Sequence, residues 1–255
     1  MKSIGIVLSG GGARCFGHLG LLQVLEELSI TPAAISGVSG GALIGALYAA
    51  GKSPTEILAL SKTGSYLGLS SLAWKKGGFF SMESMQRLLA DNIPHDSFEG
   101  LKIRLIVNAS DFNQNKTVFF TSGKLLDCLI ASAAVPIVFN PAEVDGSLMV
   151  DGGLLNNLPV EPLIPLCNTI IGSHVNRLAS IQPGAARLSR LAIIERCFHM
   201  SIASTVYSRG LHCQLLLEPQ LDSFGIFDLK AAPAIFEIAY RNALQQKDRI
   251  LELLA

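Results

Sequence analysis

Ala33-Ala34-Ile35-Ser36-Gly37-Val38-Ser39-Gly40-Gly41-Ala42-Leu43-Ile44-Gly45-Ala46-Leu47-Tyr48-Ala49-Ala50 is the stretch on which the fold turns. Its first six residues form a short apolar run of strand length, Ala33 to Val38. Its last ten, Gly41 to Ala50, form an Ala/Gly-rich run of helical length. From Leu28 to Gly51 the chain carries no charge, long enough to imitate a bilayer span. Pro32, Ser36, Gly37, Ser39, Gly40 and Gly41 break that run, and a buried strand turning sharply into a buried helix fits it better.

At the break stands Gly37-Val38-Ser39-Gly40-Gly41, of the form G-x-S-x-G. A strand-to-helix turn lifts a serine hydroxyl out of the sheet edge, and small flanking residues let the backbone bend that far. Ser39 would then stand at a helix N-terminus, where unpaired N–H groups and the dipole favour developing negative charge. The competing reading is a glycine-rich turn that only lets strand and helix pack closely.

Upstream, Ile4 to Leu8 reads as a strand and Phe16 to Leu28 as a helix, joined by Ser9-Gly10-Gly11-Gly12-Ala13-Arg14. Parallel pairing of the two strands would set this loop beside Ser39. A pair of the loop's glycine N–H groups, with that of Gly40, could then form an oxyanion hole. Arg14 at a helix start opposes the dipole and calls for a local anion, which makes it a candidate for anion or substrate positioning. A dinucleotide fingerprint is a poor match, because Cys15 replaces the third glycine and no acid closes the second strand.

Downstream, Ser53-Pro54-Thr55-Glu56 is a capping box opening a helix through Leu60, and Ser81 to Asn92 reads as another. Ile103 to Val107 and Thr117 to Thr121 are strand candidates, followed by a helix from Leu125 to Ala134. Asp145-Gly146 between short apolar arms signals a hairpin that delivers the chain to Asp151-Gly152-Gly153. Ile170-Ile171 and Leu215 to Leu217 read as strands, and Leu188 to Tyr207 and Ala234 to Leu254 as helices. Strands alternating with helices imply a three-layer α/β/α sandwich with a mainly parallel central sheet, read as one domain over residues 1–255. Gly10, Ser39 and Asp151 each lie in a glycine-framed turn at a strand end, the edge where open α/β sheets place their sites.

Composition narrows the function further. Lys plus Arg is 20 and Asp plus Glu is 20, and charged residues are 16% of the chain against 49% apolar. That balance argues against nucleic acid, which draws on a basic surplus. The cysteines, Cys15, Cys128, Cys167, Cys197 and Cys213, are scattered with no C-x-x-C pair, so they read as reduced thiols in a cytoplasmic protein without a zinc site. Of the histidines, His174, His199 and His212 follow Ser39 in the order a conventional triad requires, but none sits in a glycine-bounded turn after a clear strand.

Together these segments resemble the patatin-like phospholipases, serine lipid hydrolases with a Ser-Asp dyad. Gly10-Gly11-Gly12-Ala13-Arg14 matches the oxyanion loop and Gly37-Val38-Ser39-Gly40-Gly41 the nucleophile elbow. Ala131-Ser132-Ala133-Ala134-Val135-Pro136 matches the third block and Asp151-Gly152-Gly153 the acid turn. His18-Leu19-Gly20, Gly45 to Gly51 and Asn156-Asn157-Leu158-Pro159-Val160 agree as well, and the resemblance is strong from Ile4 to about Leu163. It implies acyl transfer without histidine: Asp151 takes the Ser39 proton, Ser39 attacks an ester carbonyl, and Gly11, Gly12 and Gly40 hold the oxyanion, with no metal or organic cofactor. It also implies (lyso)phospholipids or related acyl esters as substrates.

One position departs from the family. Cys15 stands where the last glycine of the first block is usual; a left-handed backbone would strain it, whereas close packing would accommodate it. A non-catalytic lipid-binding protein of the same fold is therefore the alternative reading, and a conventional α/β-hydrolase esterase a third. Gly64 to Phe80, with Trp74 beside Lys75-Lys76, has the texture of a lid or a peripheral membrane contact, or equally of a cap that packs its aromatics into the core.

Overall fold

The structure is a computed structural model that describes residues 3–62, 82–136, 138–178 and 190–254. The lid or membrane-contact reading of Gly64 to Phe80 lies outside the described residues.

An eight-stranded mixed sheet organises the chain. Its strands are β1 (Ile4–Leu8), β2 (Ala34–Val38), β3 (Arg104–Asp111), β4 (Lys116–Phe120), β5 (Ala142–Val144), β6 (Ser147–Asp151), β7 (Thr169–Ser173) and β8 (Leu215–Leu217). They run in the order β5-β6-β3-β2-β1-β7-β8, with β4 also paired to β3. The middle of the sheet is parallel, β3 through β8, whereas β4 and β6 both meet β3 antiparallel and β5 meets β6 antiparallel. The expected three-layer sandwich is therefore present, with its hairpin end running against the parallel body.

Eight helices follow among the described residues: α1 (His18–Glu27), α2 (Gly40–Ala49), α3 (Pro54–Leu60), α4 (Met82–Asn92), α5 (Leu125–Ser132), α6 (Arg190–Gly210), α7 (Ala232–Leu244) and α8 (Lys247–Glu252). The capping box forms as the sequence requires: Ser53 Oγ accepts the Glu56 N–H, and the Glu56 carboxylate accepts the Ser53 N–H. Asp145 and Gly146 both take positive φ, 50° and 75°, the backbone of a two-residue hairpin turn. The final run expected from Ala234 to Leu254 is instead two helices, α7 and α8, divided at Gln245-Gln246. No proline or glycine marks that break, and Ile250 beyond it returns to the core.

Both faces of the sheet are covered. Ile6, Leu8, Ile35, Leu105 and Val107 point into one apolar layer with Leu19, Leu22, Leu47 and Leu129, where α1 also packs against α7. Val7, Ala34, Ile106 and Ile170 point to the other, with Leu158, Val160, Leu163 and Val206. Alternation along each strand is the period-two geometry of a sheet buried on both sides, which explains why these strands read as continuous apolar runs.

Register sets the site. Leu8 pairs with Gly37, Val38 with Asn108, and Ala109 with Asp151. Because β3 continues past the end of β2, the antiparallel β6 finishes level with the elbow. The loop after β1, the turn after β2 and the turn after β6 thus meet at one edge.

Candidate active site

Ser39 occupies the N-cap of α2, yet its side chain makes no capping bond. The reason is local: φ is 53° and ψ is −130°, a conformation rare for a residue with a side chain, instead of the extended backbone of an ordinary cap. The hydroxyl is thereby released from the helix and turned toward the sheet edge. Packing enforces the elbow. A Cβ on Gly41 would lie 2.4 Å from the Ser9 carbonyl oxygen, so α2 can start here only with glycine at that position.

Asp151 caps the short 3-10 turn Gly152–Leu154, its Oδ1 accepting the Gly153 N–H at 2.7 Å. Asn108 holds the same turn from β3, donating from Nδ2 to the carbonyls of Gly152 and Asn156 at 3.4 and 3.2 Å. Burial pushes the Asp151 carboxyl up to about 6, against the opposing pull of its hydrogen bonds with Ser39 and the Gly153 N–H. Ser39 and Asp151 line one cavity together.

The glycine loop is held from several sides. The Gly10 N–H donates to Asn157 Oδ1 at 3.1 Å, and the Gly10 carbonyl accepts from Asn176 Nδ2 at 2.9 Å. Ala13 N–H donates to the Ile226 carbonyl at 2.7 Å. Gly12 has φ of 55°, and a Cβ there would lie 2.3 Å from that same carbonyl oxygen, so no other residue fits. The N–H groups of Gly11, Gly12 and Gly40 donate to no protein acceptor among the described residues.

Arg14 is buried behind the loop. Its Nε donates to the Phe224 carbonyl at 2.7 Å and its Nη1 to Asn176 Oδ1 at 3.2 Å, so these bonds tie the loop to the last third of the chain. His18, fully buried, bridges two strand ends: Nε2–H donates to the Ser9 carbonyl and Nδ1 accepts from the Ser173 hydroxyl, both at 2.8 Å. Burial drops its pKa to about 4, keeping it neutral. Cys15 has negative φ and packs its Sγ where a Cβ on Gly40 would stand, 2.7 Å away. The close-packing account of that departure is the one the backbone bears out, and burial raises the thiol well above the usual cysteine range.

Two cavities meet at Ser39. One, about 200 Å³, is walled by Leu43, Ile44 and Leu47 of α2, Ile57 and Leu60 of α3, Met85, Leu88 and Leu89 of α4, and Phe139. The other, about 230 Å³, holds Gly10, Gly11, Asp151, Asn157, Asn176 and His199 together with apolar Leu154, Val138 and Ile194. Gly12, Ser39, Val135, Ile226 and Phe227 border both. Asn176 carries no signal along the chain, and Asn157 stands in a segment that agrees with the family without a role attached to it, because both act through contacts across about 150 residues or more. Among the described residues the buried Asn157 Nδ2 has no acceptor. His199, one of the three histidines that follow Ser39 in the chain, lines the second cavity; burial first, then Arg14 and His174, lower its pKa to about 4. His174 is paired instead with Glu218 at 2.8 Å.

The site thus sets a serine on a strained strand-to-helix elbow beside a buried aspartate, at one edge of an α/β sandwich. The chain belongs to the patatin-like phospholipase family, whose family model, Patatin-like phospholipase, matches residues 6–164. An uncharacterized NTE family protein of Mycobacterium tuberculosis is 33% identical over 163 residues, 63% of this chain and 45% of that protein. Lysophospholipase NTE1 of Candida glabrata is 29% identical over 189 residues, 71% of this chain and 11% of that protein. This chain thus spans less than half the length of the curated relatives it matches. Two solved structures share the fold. VipD from Legionella pneumophila has a TM-score of 0.55 at 14% identity, covering 98% of this chain and 67% of that one. Human GIVD cytosolic phospholipase A2, in complex with methyl gamma-linolenyl fluorophosphonate, has 0.52 at 12%, covering 99% and 59%. No helix among the described residues is long and apolar enough to cross a membrane.

Proposed function

We propose that this protein is a carboxylic ester hydrolase that cleaves fatty acyl esters of (lyso)phospholipids or related lipids with Ser39 as nucleophile and Asp151 as base. The observation that carries the reading is the convergence of a serine freed from its own helix cap with a buried carboxylate of raised pKa. A carboxylate of pKa about 6 is a stronger base than an exposed one and is ionised at neutral pH, both of which proton abstraction from an alcohol needs.

In the first step Asp151 accepts the Ser39 proton as Oγ bonds to the ester carbonyl carbon. The oxyanion that forms is held by the N–H groups of Gly11, Gly12 and Gly40, which donate to no acceptor among the described residues, and by the N-terminal end of the α2 dipole. Collapse of the tetrahedral species breaks the bond to the alcohol oxygen, which takes the proton from Asp151. Water, deprotonated by the same carboxylate, then releases the fatty acid and restores Ser39. The acyl chain lies in the cavity walled by α2, α3 and α4, and the alcohol half on the side of Asn157, Asn176 and His199. Arg14 serves this chemistry by bracing the loop through Phe224 and Asn176. The protein acts in the cytoplasm, meeting lipid at most as a peripheral membrane contact.

Fatty acid release from lysophosphatidylcholine, phosphatidylcholine and monoacylglycerol dispersions tests the reading. Wild type should release acid from at least one, and Ser39→Ala from none. A folded wild type that binds these lipids but turns none over supports the lipid-binding alternative and sinks the assignment.

A further inference from the structure

Ser39 leaves its backbone N–H in an awkward place. The left-handed φ at the elbow ends the β2 ladder at Val38, and α2 draws on the Ser39 carbonyl, bonded by the N–H groups of Ala42 and Leu43, but offers nothing to the Ser39 amide. The amide donates instead to a side chain, Ser132 Oγ, at 2.8 Å, across 93 residues of sequence. Ser132 is the last residue of α5 and is wholly buried. Two residues on, the Ala134 carbonyl accepts the Asp151 N–H at 2.9 Å. The run from Ser132 to Ala134 therefore grips the backbone of the nucleophile at one end and that of the base at the other.

We infer that Ser132 is a positioning residue for the Ser39–Asp151 reaction, its hydroxyl oxygen holding the elbow in the strained conformation that presents Ser39 Oγ to Asp151. The inference rests on the proposed roles of those two residues. Its physical basis is that a strained backbone persists only where surrounding bonds over-determine it. With the acceptor removed, the buried amide must turn toward water or another oxygen, and the hydroxyl moves with it. Ser132 borders neither cavity, so it does not touch substrate.

Ser132→Ala removes the acceptor, Ser132→Cys keeps nearly the volume while supplying only a weak sulfur acceptor, and Ser132→Thr keeps the oxygen. The readouts are the second-order rate of Ser39 labelling by a fluorophosphonate, kcat and KM on a soluble aryl ester, and the pH profile. Ser132→Ala and Ser132→Cys should label about 10- to 100-fold more slowly per folded molecule, with kcat reduced, KM little changed and the acid limb unmoved. Ser132→Thr should recover most of the rate. In the wild type, the Ser39 amide should also be strongly protected from hydrogen exchange. Either wild-type labelling rates in folded Ser132→Ala or Ser132→Cys, or rapid exchange of the Ser39 amide in the wild type, would overturn the inference. Failure of the wild type to label at all would instead count against the underlying dyad.

Discussion

Arg14 Nη1 donates to Asn176 Oδ1 at 3.2 Å, and the same Asn176 amide donates from Nδ2 to the Gly10 carbonyl. One side chain from beyond the family match at residues 6–164 therefore joins both ends of the glycine loop. With Phe224 and Ile226 it makes the last third of the chain part of the site, although none of the four motif blocks lies there.

Arg14→Lys separates bracing from charge. A lysine keeps the cation but cannot span Phe224 and Asn176 with a planar fork. The bracing role predicts that the substitution lowers kcat about tenfold or more and costs about 1–3 kcal/mol of stability, the range for leaving a buried polar partner unsatisfied. Activity and thermal unfolding measured on the same preparation check it. Full activity with lysine would favour a role for the charge itself.

The raised Asp151 pKa gives two opposite signs. With Asp151 as the proposed base the carboxylate must be ionised, so kcat/KM should rise with pH through about 6. Stability runs the other way. A carboxyl whose folded pKa lies above its ordinary 3.8 binds its proton more tightly when folded, so its contribution is fully present below 3.8 and is lost as pH rises through 6. The loss is about 3 kcal/mol on the linkage scale of about 1.4 kcal/mol per pKa unit. Asp151→Asn keeps an acceptor for the Gly153 N–H and carries no charge. It should be inactive, more stable than wild type at pH 8, and equal to it near pH 4. Denaturant unfolding at the two pH values decides this, and an Asn variant less stable at pH 8 refutes the linkage.

Cys15→Gly tests whether the family departure weakens the proposed hydrolysis. With its backbone unstrained and its sulfur filling the space beside Gly40, Cys15 contributes packing. The glycine variant should lose about 1–2 kcal/mol through the void and added chain entropy, with no gain in kcat. A several-fold increase in kcat would show that the cysteine holds the loop away from its best geometry.

What was legible in the sequence was whatever depends on neighbours along the chain. β1, the elbow at Ser39, the Ser53 capping box and the Asp145-Gly146 hairpin all carry local signals, and each stands where those signals put it. Their convergence on one edge followed from strand alternation, though the antiparallel course of β6 did not, because a strand's direction depends on its partner. The Ser39–Ser132 bond and the Asn157 and Asn176 anchors left no trace in periodicity, since each joins residues that only the finished fold brings together. The break between α7 and α8 was equally silent: Gln245 and Gln246 are good helix formers, and packing of Ile250 overrides their propensity.

Ser39 is proposed as a nucleophile activated by Asp151. Intact-protein mass spectrometry after exposure to a fluorophosphonate, comparing wild type, Ser39→Ala and Asp151→Asn, tests it most directly. Wild type should carry one phosphonyl adduct, mapped to Ser39, with none on either variant over the same time. Adduct on Asp151→Asn at the wild-type rate, or at a residue other than Ser39, would contradict it.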